Sequence, residues 1–166
     1  MPLDRYNIFA PADAVIKFHG HSIETKVSDH FSTLLLAFEH LEFFSLDKYI
    51  KSEDGNKVLQ DKKAVLGHLL ALSKTLLKAH KAGIYHRHIN YDAIRISNDG
   101  SAWKFTPFGA TYALQSSSSA YPPKSYASFL PPEHHLSGVS NPWKADVFAI
   151  TILIQILMLD QKTLDL

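Results

Sequence analysis

Residues 85–105 read YHRHINYDAIRISNDGSAWKF, and the second half of that stretch sets the class of the fold. Ala93–Ile96 and Ala102–Phe105 are short apolar runs on either side of SNDGS, whose Asp99-Gly100 pair is a strong hairpin signal, so a two-stranded ribbon is predicted. Upstream, Val65, Leu66, Leu69, Leu70, Leu76 and Leu77 recur at helical spacing, with Asp61 suited to the N-cap and Gly83 to the C-cap. That predicts a helix over 61–82. Downstream, Asn141 followed by Pro142 is an N-cap with proline at the first helical position. It opens a helix to about Leu159 that is apolar on nearly every side and calls for protein all around it.

Toward the N-terminus, Val15–Gly20 (VIKFHG) and Thr33–Glu39 (TLLLAFE) are apolar runs separated by a polar stretch, which suits two neighbouring strands. Ser45 opens SLDKYIK, a short helix with a capping hydroxyl and Asp47 in its first turn, and Ser52–Asn56 (SEDGN) is expected to end it as a loop. Gln115–Ser128, rich in Ser, Tyr and Pro, reads as an exposed loop. The class is therefore α+β and mostly helical.

The chain of 166 residues suits one domain with one hydrophobic core. With 46% apolar and 20% charged residues, neither disorder nor a fibrous repeat fits. Seventeen Lys and Arg against sixteen Asp and Glu leave a net charge of +1, too little to draw phosphate backbones, so no nucleic-acid partner is expected. The absence of cysteine excludes disulfides, catalytic thiols and thiolate zinc sites. Met1–Ala10 has no continuous apolar stretch to serve as a signal peptide, and the expected compartment is cytoplasmic. The longest apolar run, Val147–Leu159, is broken by Thr151 and Gln155 and falls short of the ~20 residues a membrane span needs.

Read in order, these landmarks resemble the eukaryotic protein kinase family. LAFEHLEFFSLDKYI at 36–50 is similar to the last small-lobe strand, the hinge and the following helix, and YHRHINYDAIRI at 85–96 resembles the catalytic loop, whose family pattern opens H-R-D. PFG at 107–109 falls at the D-F-G position, PPE at 131–133 at the A-P-E position, and DVFAIT at 146–151 at the start of the buried large-lobe helix. The resemblance implies one incomplete kinase-like domain, with a small-lobe remnant and hinge over 1–40 and a partial large lobe over 41–166. No glycine-rich loop or V-A-I-K-type lysine stands upstream of Val15; Lys17, in VIKF, sits in a context more like the fourth small-lobe strand.

Phosphoryl transfer needs a carboxylate to orient the substrate hydroxyl, and metal ions held by Asp and Asn. By resemblance, His88 stands at the catalytic Asp, Asn90 at the loop Lys, Ala93 at the metal-binding Asn and Pro107 at the metal-binding Asp. Ala93 and Pro107 offer no side-chain oxygen for magnesium. Arg95 falls where an aliphatic residue lies under adenine, so nucleotide binding is not expected either; the hinge candidates are Glu39 and Leu41, and no cofactor is assigned. Groups with a structural role in the family remain. His86 and Phe108 match the stacked apolar column, Arg87 and Gly109 fit the same two motifs, and Asp146 matches the carboxylate that caps the catalytic loop's backbone. Glu133 matches a Glu whose usual arginine partner lies further on than Leu166.

Three sharper readings compete with plainer ones. His19 with His21, His86 with His88, and His134 with His135 invite a metal, but no strong ligand spacing such as H-E-x-x-H occurs, and no metal is assigned. A phosphate on Ser125, Tyr126 or Ser128 has Arg87 as a pairing candidate; the plainer reading is a solvated loop. Leu41–Phe44 (LEFF) is either an apolar patch at the former hinge or packing under the small lobe. The expectation is a catalytically inactive, pseudokinase-like binding or scaffolding protein with a protein partner and self-association through 142–159. The alternatives are a weak phosphotransferase completed by a partner and a degenerate kinase fragment.

Overall fold

The computed structural model describes residues 8, 9, 13–26, 31–40, 43–107, 128–137 and 141–159. Leu41, Phe108, Gly109 and nearly all of 115–128 lie outside them. The fold is α+β, with two small antiparallel sheets.

The N-terminal hairpin pairs β1 (Phe18–Lys26) with β2 (Phe31–Phe38). It differs from the expected one at its start. Val15 belongs elsewhere, and the polar stretch from His21 to Lys26 is itself strand. Next, β3 (Phe43–Ser45) runs into α1 (Leu46–Ile50), whose N-cap is Ser45, followed by α2 (Glu53–Gln60). The expected loop at SEDGN is therefore a helix start. The Ser52 hydroxyl accepts the Gly55 N–H at 3.0 Å, and Glu53 and Asp54 sit at the positive end of the helix dipole.

The long helix α3 (Lys62–Lys81) is capped by Asp61, whose carboxylate accepts the N–H groups of Lys63 and Ala64. Val65, Leu69, Leu72, Leu76 and Ala79 are its buried stripe. Leu66, Leu70 and Leu77, read together with that stripe, instead face outward at 51%, 53% and 54% exposure. A 3-10 turn (Tyr91–Ala93) leads to β4 (Ile94–Ser97), which pairs with β5 (Trp103–Phe105) around Asp99-Gly100. The ribbon has a third strand, since β3 pairs with the other side of β4. On β5's free side, the Ile16 N–H donates to Phe105 and the Phe105 N–H to Ala14, docking residues 14–16 as a strap. The strap is held further by Ala14 N–H to Thr75 Oγ1 (2.9 Å) and by an Asp13–Lys78 ion pair (2.6 Å).

After α4 (Pro132–Ser137), α5 (Pro142–Met158) runs antiparallel to α3. Lys62 Nζ donates to the Leu157 carbonyl at one end, while His80 meets Asp146 at the other. Ala149, Ile150, Leu153 and Leu157 enter a core shared with α3, β4, β5 and Phe129. The outward row of α5 is Val147, Thr151, Gln155 and Leu159, narrower and more polar than the sequence suggested, and Leu157 is in the core. Among the described residues no helix is long and apolar enough to cross a membrane.

Candidate functional site

The site begins where α3 stops. Gly83 takes φ 71°, its N–H donates to the His80 carbonyl, and the Ile84 N–H reaches back to Ala79, a glycine-terminated Schellman cap. The cap turns the chain so that residues 84–90 cross the N-terminal end of α5, where Asp146 stands on the first turns.

Asp146 is 1% exposed and its carboxylate collects three donors. Oδ1 accepts the Arg87 N–H at 2.7 Å; Oδ2 accepts the His86 N–H at 2.7 Å and lies 3.0 Å from His80 Nε2. Burial pushes its pKa above the ordinary value, and hydrogen bonds from His80, His86 and Arg87 oppose that shift. Arg87 has φ 64°, a left-handed conformation that costs a non-glycine residue free energy. The pair of charge-assisted bonds on either side of it holds the strain in place.

His86 is fully buried with its ring 5.2 Å from Phe105. Burial first, and then His88, push its pKa down to about 3, so the ring is neutral. The His88 N–H donates to His86 Nδ1 at 3.3 Å, which places the His86 proton on Nε2. His88 is half-buried, and burial lowers its pKa against the opposing charge of Asp92. Asn90 is a cap: its Oδ1 accepts the N–H groups of Asp92 (2.7 Å) and Ala93 (3.0 Å), starting the 3-10 turn. The Thr106 N–H donates to the Ala93 carbonyl at 2.8 Å, so positions 93 and 107 lie close together at the open end of the ribbon. Neither of these two side chains carries an oxygen, and Asn90's is committed to backbone, so none of the three can hold a hard cation.

The sheet face opposite Ile94 and Ile96 carries Arg95, with Lys104 directly across on β5 and Ser45 on β3. Glu39 closes that face from the hairpin side. Its Oε1 takes the Lys104 ammonium at 2.6 Å and the Lys17 N–H at 2.8 Å, while its own N–H donates to the Lys17 carbonyl. Burial raises the Glu39 pKa, but Lys104, the Lys17 N–H and His19 together outweigh it and hold the group below the ordinary carboxylate value. Lys17 is exposed, as is Phe44, the last residue of LEFF, at 48%. Glu133 is exposed in the first turn of α4.

The structure thus brings His86, Arg87, His88, Asn90, Ala93, Pro107 and Asp146 to one corner, while Glu39 is engaged with Lys17 and Lys104. No protein-family model matches the sequence, and no curated protein is significantly similar to it. Among the described residues no group of three or more His, Asp or Glu side chains converges as a metal site. Sequence reasoning missed His80, Thr75 and Lys104 as partners. His80's place in the last turn of α3 marks it only as a residue suited to a helix C-terminus.

Proposed function

We propose that the chain is a catalytically inactive, protein-kinase-like module that binds or scaffolds another protein. The observation that carries this reading is the combination at one corner of a strained loop clamped by Asp146 and, on that same loop and its neighbour, His88, Ala93 and Pro107 at the positions the resemblance assigns to catalysis and metal binding. Asp146 holds the loop's backbone, while His88, Ala93 and Pro107 stand, by the resemblance, where phosphoryl transfer uses two carboxylates and an amide. Fold likeness does not supply an activity, so the reading rests on the site's chemistry. Arg95, at the position the resemblance puts under adenine, and across from Lys104 on β5, speaks against nucleotide binding by this module.

The test is a thermal-shift series with ATP and magnesium beside a phosphate-transfer assay on the purified chain. A ligand at a hundredfold excess over its dissociation constant stabilises the fold by about 2.7 kcal/mol, an unmistakable shift. We expect no shift at low micromolar ATP and no transfer. Transfer abolished by His88→Ala would establish the phosphotransferase alternative, and a clear shift at low micromolar ATP would place a nucleotide pocket in the protein.

A further inference from the structure

Among the described residues the hairpin is a sheet of only two strands, and its outer edges differ in kind. The β1 edge is broken between Phe18 and Gly20, where the register shifts, and its sequence FHGHSIETK carries Glu24, Lys26 and two histidines. Bulges and charges are the devices by which an edge strand refuses a further partner. β2 has neither. FSTLLLAF is eight residues long, without charge or proline, and its ladder is regular from Phe31 to Ala37, with Leu35, Leu36 and Ala37 exposed.

The same strand is close to its own complement. Two identical antiparallel strands related by a two-fold axis must be centred on one residue, because hydrogen-bonded and non-hydrogen-bonded pairs alternate along the ladder. Centred on Leu35, Leu34 stands opposite Leu36, Thr33 opposite Ala37 and Ser32 opposite Phe38, so a run of three leucines meets its own copy. A two-stranded sheet is marginal in water, and a four-stranded one is not.

We infer that β2 pairs with β2 of a second copy, antiparallel and centred on Leu35, to give a four-stranded sheet in the order β1-β2-β2-β1. The contact is isologous and self-limiting: it consumes the unprotected edge of each copy and leaves the charged, bulged β1 strands outside. It stands independently of the proposed function.

The sequence contains no cysteine, so introduced thiols report without background. Leu35→Cys sets two thiols across the axis at a Cα separation of ~4.5–5.5 Å, within the ~4.4–6.8 Å that a disulfide spans. Under mild oxidation this variant is expected to become a covalent dimer. Ile23→Cys, at 63% against 47% exposure for Leu35 but on β1, is expected to stay largely single. Light scattering on the unmodified chain is expected to give twice 18.6 kDa. Leu35→Lys, which faces two ammonium groups across the axis, is expected to return the single-chain mass with an unchanged circular dichroism spectrum. Equal cross-linking of the two cysteine variants would overturn the inference, as would a single-chain mass for the unmodified protein or a dimer that survives Leu35→Lys. A dimer joined through α5, or an edge covered by another segment of the same chain, would show itself in one of these ways.

Discussion

Asp146 and His86 are where one side chain decides most. Replacing Asp146 by Ala orphans the buried His86 N–H, the partly buried Arg87 N–H and His80 at once, and relaxes the restraint on Arg87. The expected loss is about 3–5 kcal/mol, read as a lower urea midpoint, with Asp146→Asn falling in between because it retains one acceptor. His86 makes stability depend on pH. An unfolded histidine takes up its proton below about 6.5, whereas the folded one stays neutral down to about 3, so between those values the unfolded state binds more protons. This contribution is complete above 6.5 and is lost as pH falls toward 3, on the order of 5 kcal/mol in all. Asp146 acts in the opposite sense, since its raised pKa lets the folded form take a proton before the unfolded one. His86→Phe should flatten the decline between pH 6.5 and 4.5; unchanged slopes would show that other groups set it. The place of Asp146 beneath the loop is legible in the sequence because a motif resemblance supplies it. That of His80 is not, because nothing local to a helix end says which carboxylate will lie 66 positions away.

At the level of elements, two glycines make opposite predictions. A Cβ at Gly55 in α2 would run into the Tyr49 carbonyl, so Gly55→Ala must displace backbone and destabilise. At Gly67 in α3 a Cβ meets nothing within 4 Å, and Gly67→Ala should stabilise by about 0.5–1 kcal/mol through helix propensity. Ser52→Ala should cost about 1 kcal/mol as a lost cap. All three are measured by denaturant unfolding, and a stabilising Gly55→Ala would refute the close approach of α2 to the Tyr49 carbonyl. The same helix shows why part of the fold was illegible. Asp54-Gly55 looks like turn chemistry, yet the glycine is needed because α2 crosses close over α1, a tertiary fact absent from the local pattern. In α3 the period of 3.6 was plain, but two leucine stripes satisfied it. Only the positions of β5 and α5 select Leu69, Leu72 and Leu76 over Leu66, Leu70 and Leu77. Where caps and turn residues act within a few positions, as at Ser45, Asp61, Gly83, Asp99-Gly100 and Asn141, reading and structure coincide.

Across the whole molecule, the hairpin joins the three-stranded sheet through Glu39 and Lys104, a partly buried ion pair. Glu39→Gln is expected to speed amide exchange over 18–38 while leaving α3 unchanged, since the pair lies outside the core around that helix; uniform exchange throughout would show that the hairpin is part of the same cooperative unit. The strap at 14–16 has a consequence for the order of events during synthesis. Its partners on β5 are made some 90 residues later, an interval of roughly 5–20 s at ~5–20 residues per second. For the part of that time that follows its own synthesis, the uncharged strand from Phe31 to Phe38 has no β5 to anchor its base. Chains arrested before Trp103 should therefore be cut within 18–38 by a protease at low dose, and those arrested beyond α5 should resist. The nascent chain passes through a window of vulnerability to neighbouring copies on the same message, and its length is set by translation speed rather than by the stability of the finished protein.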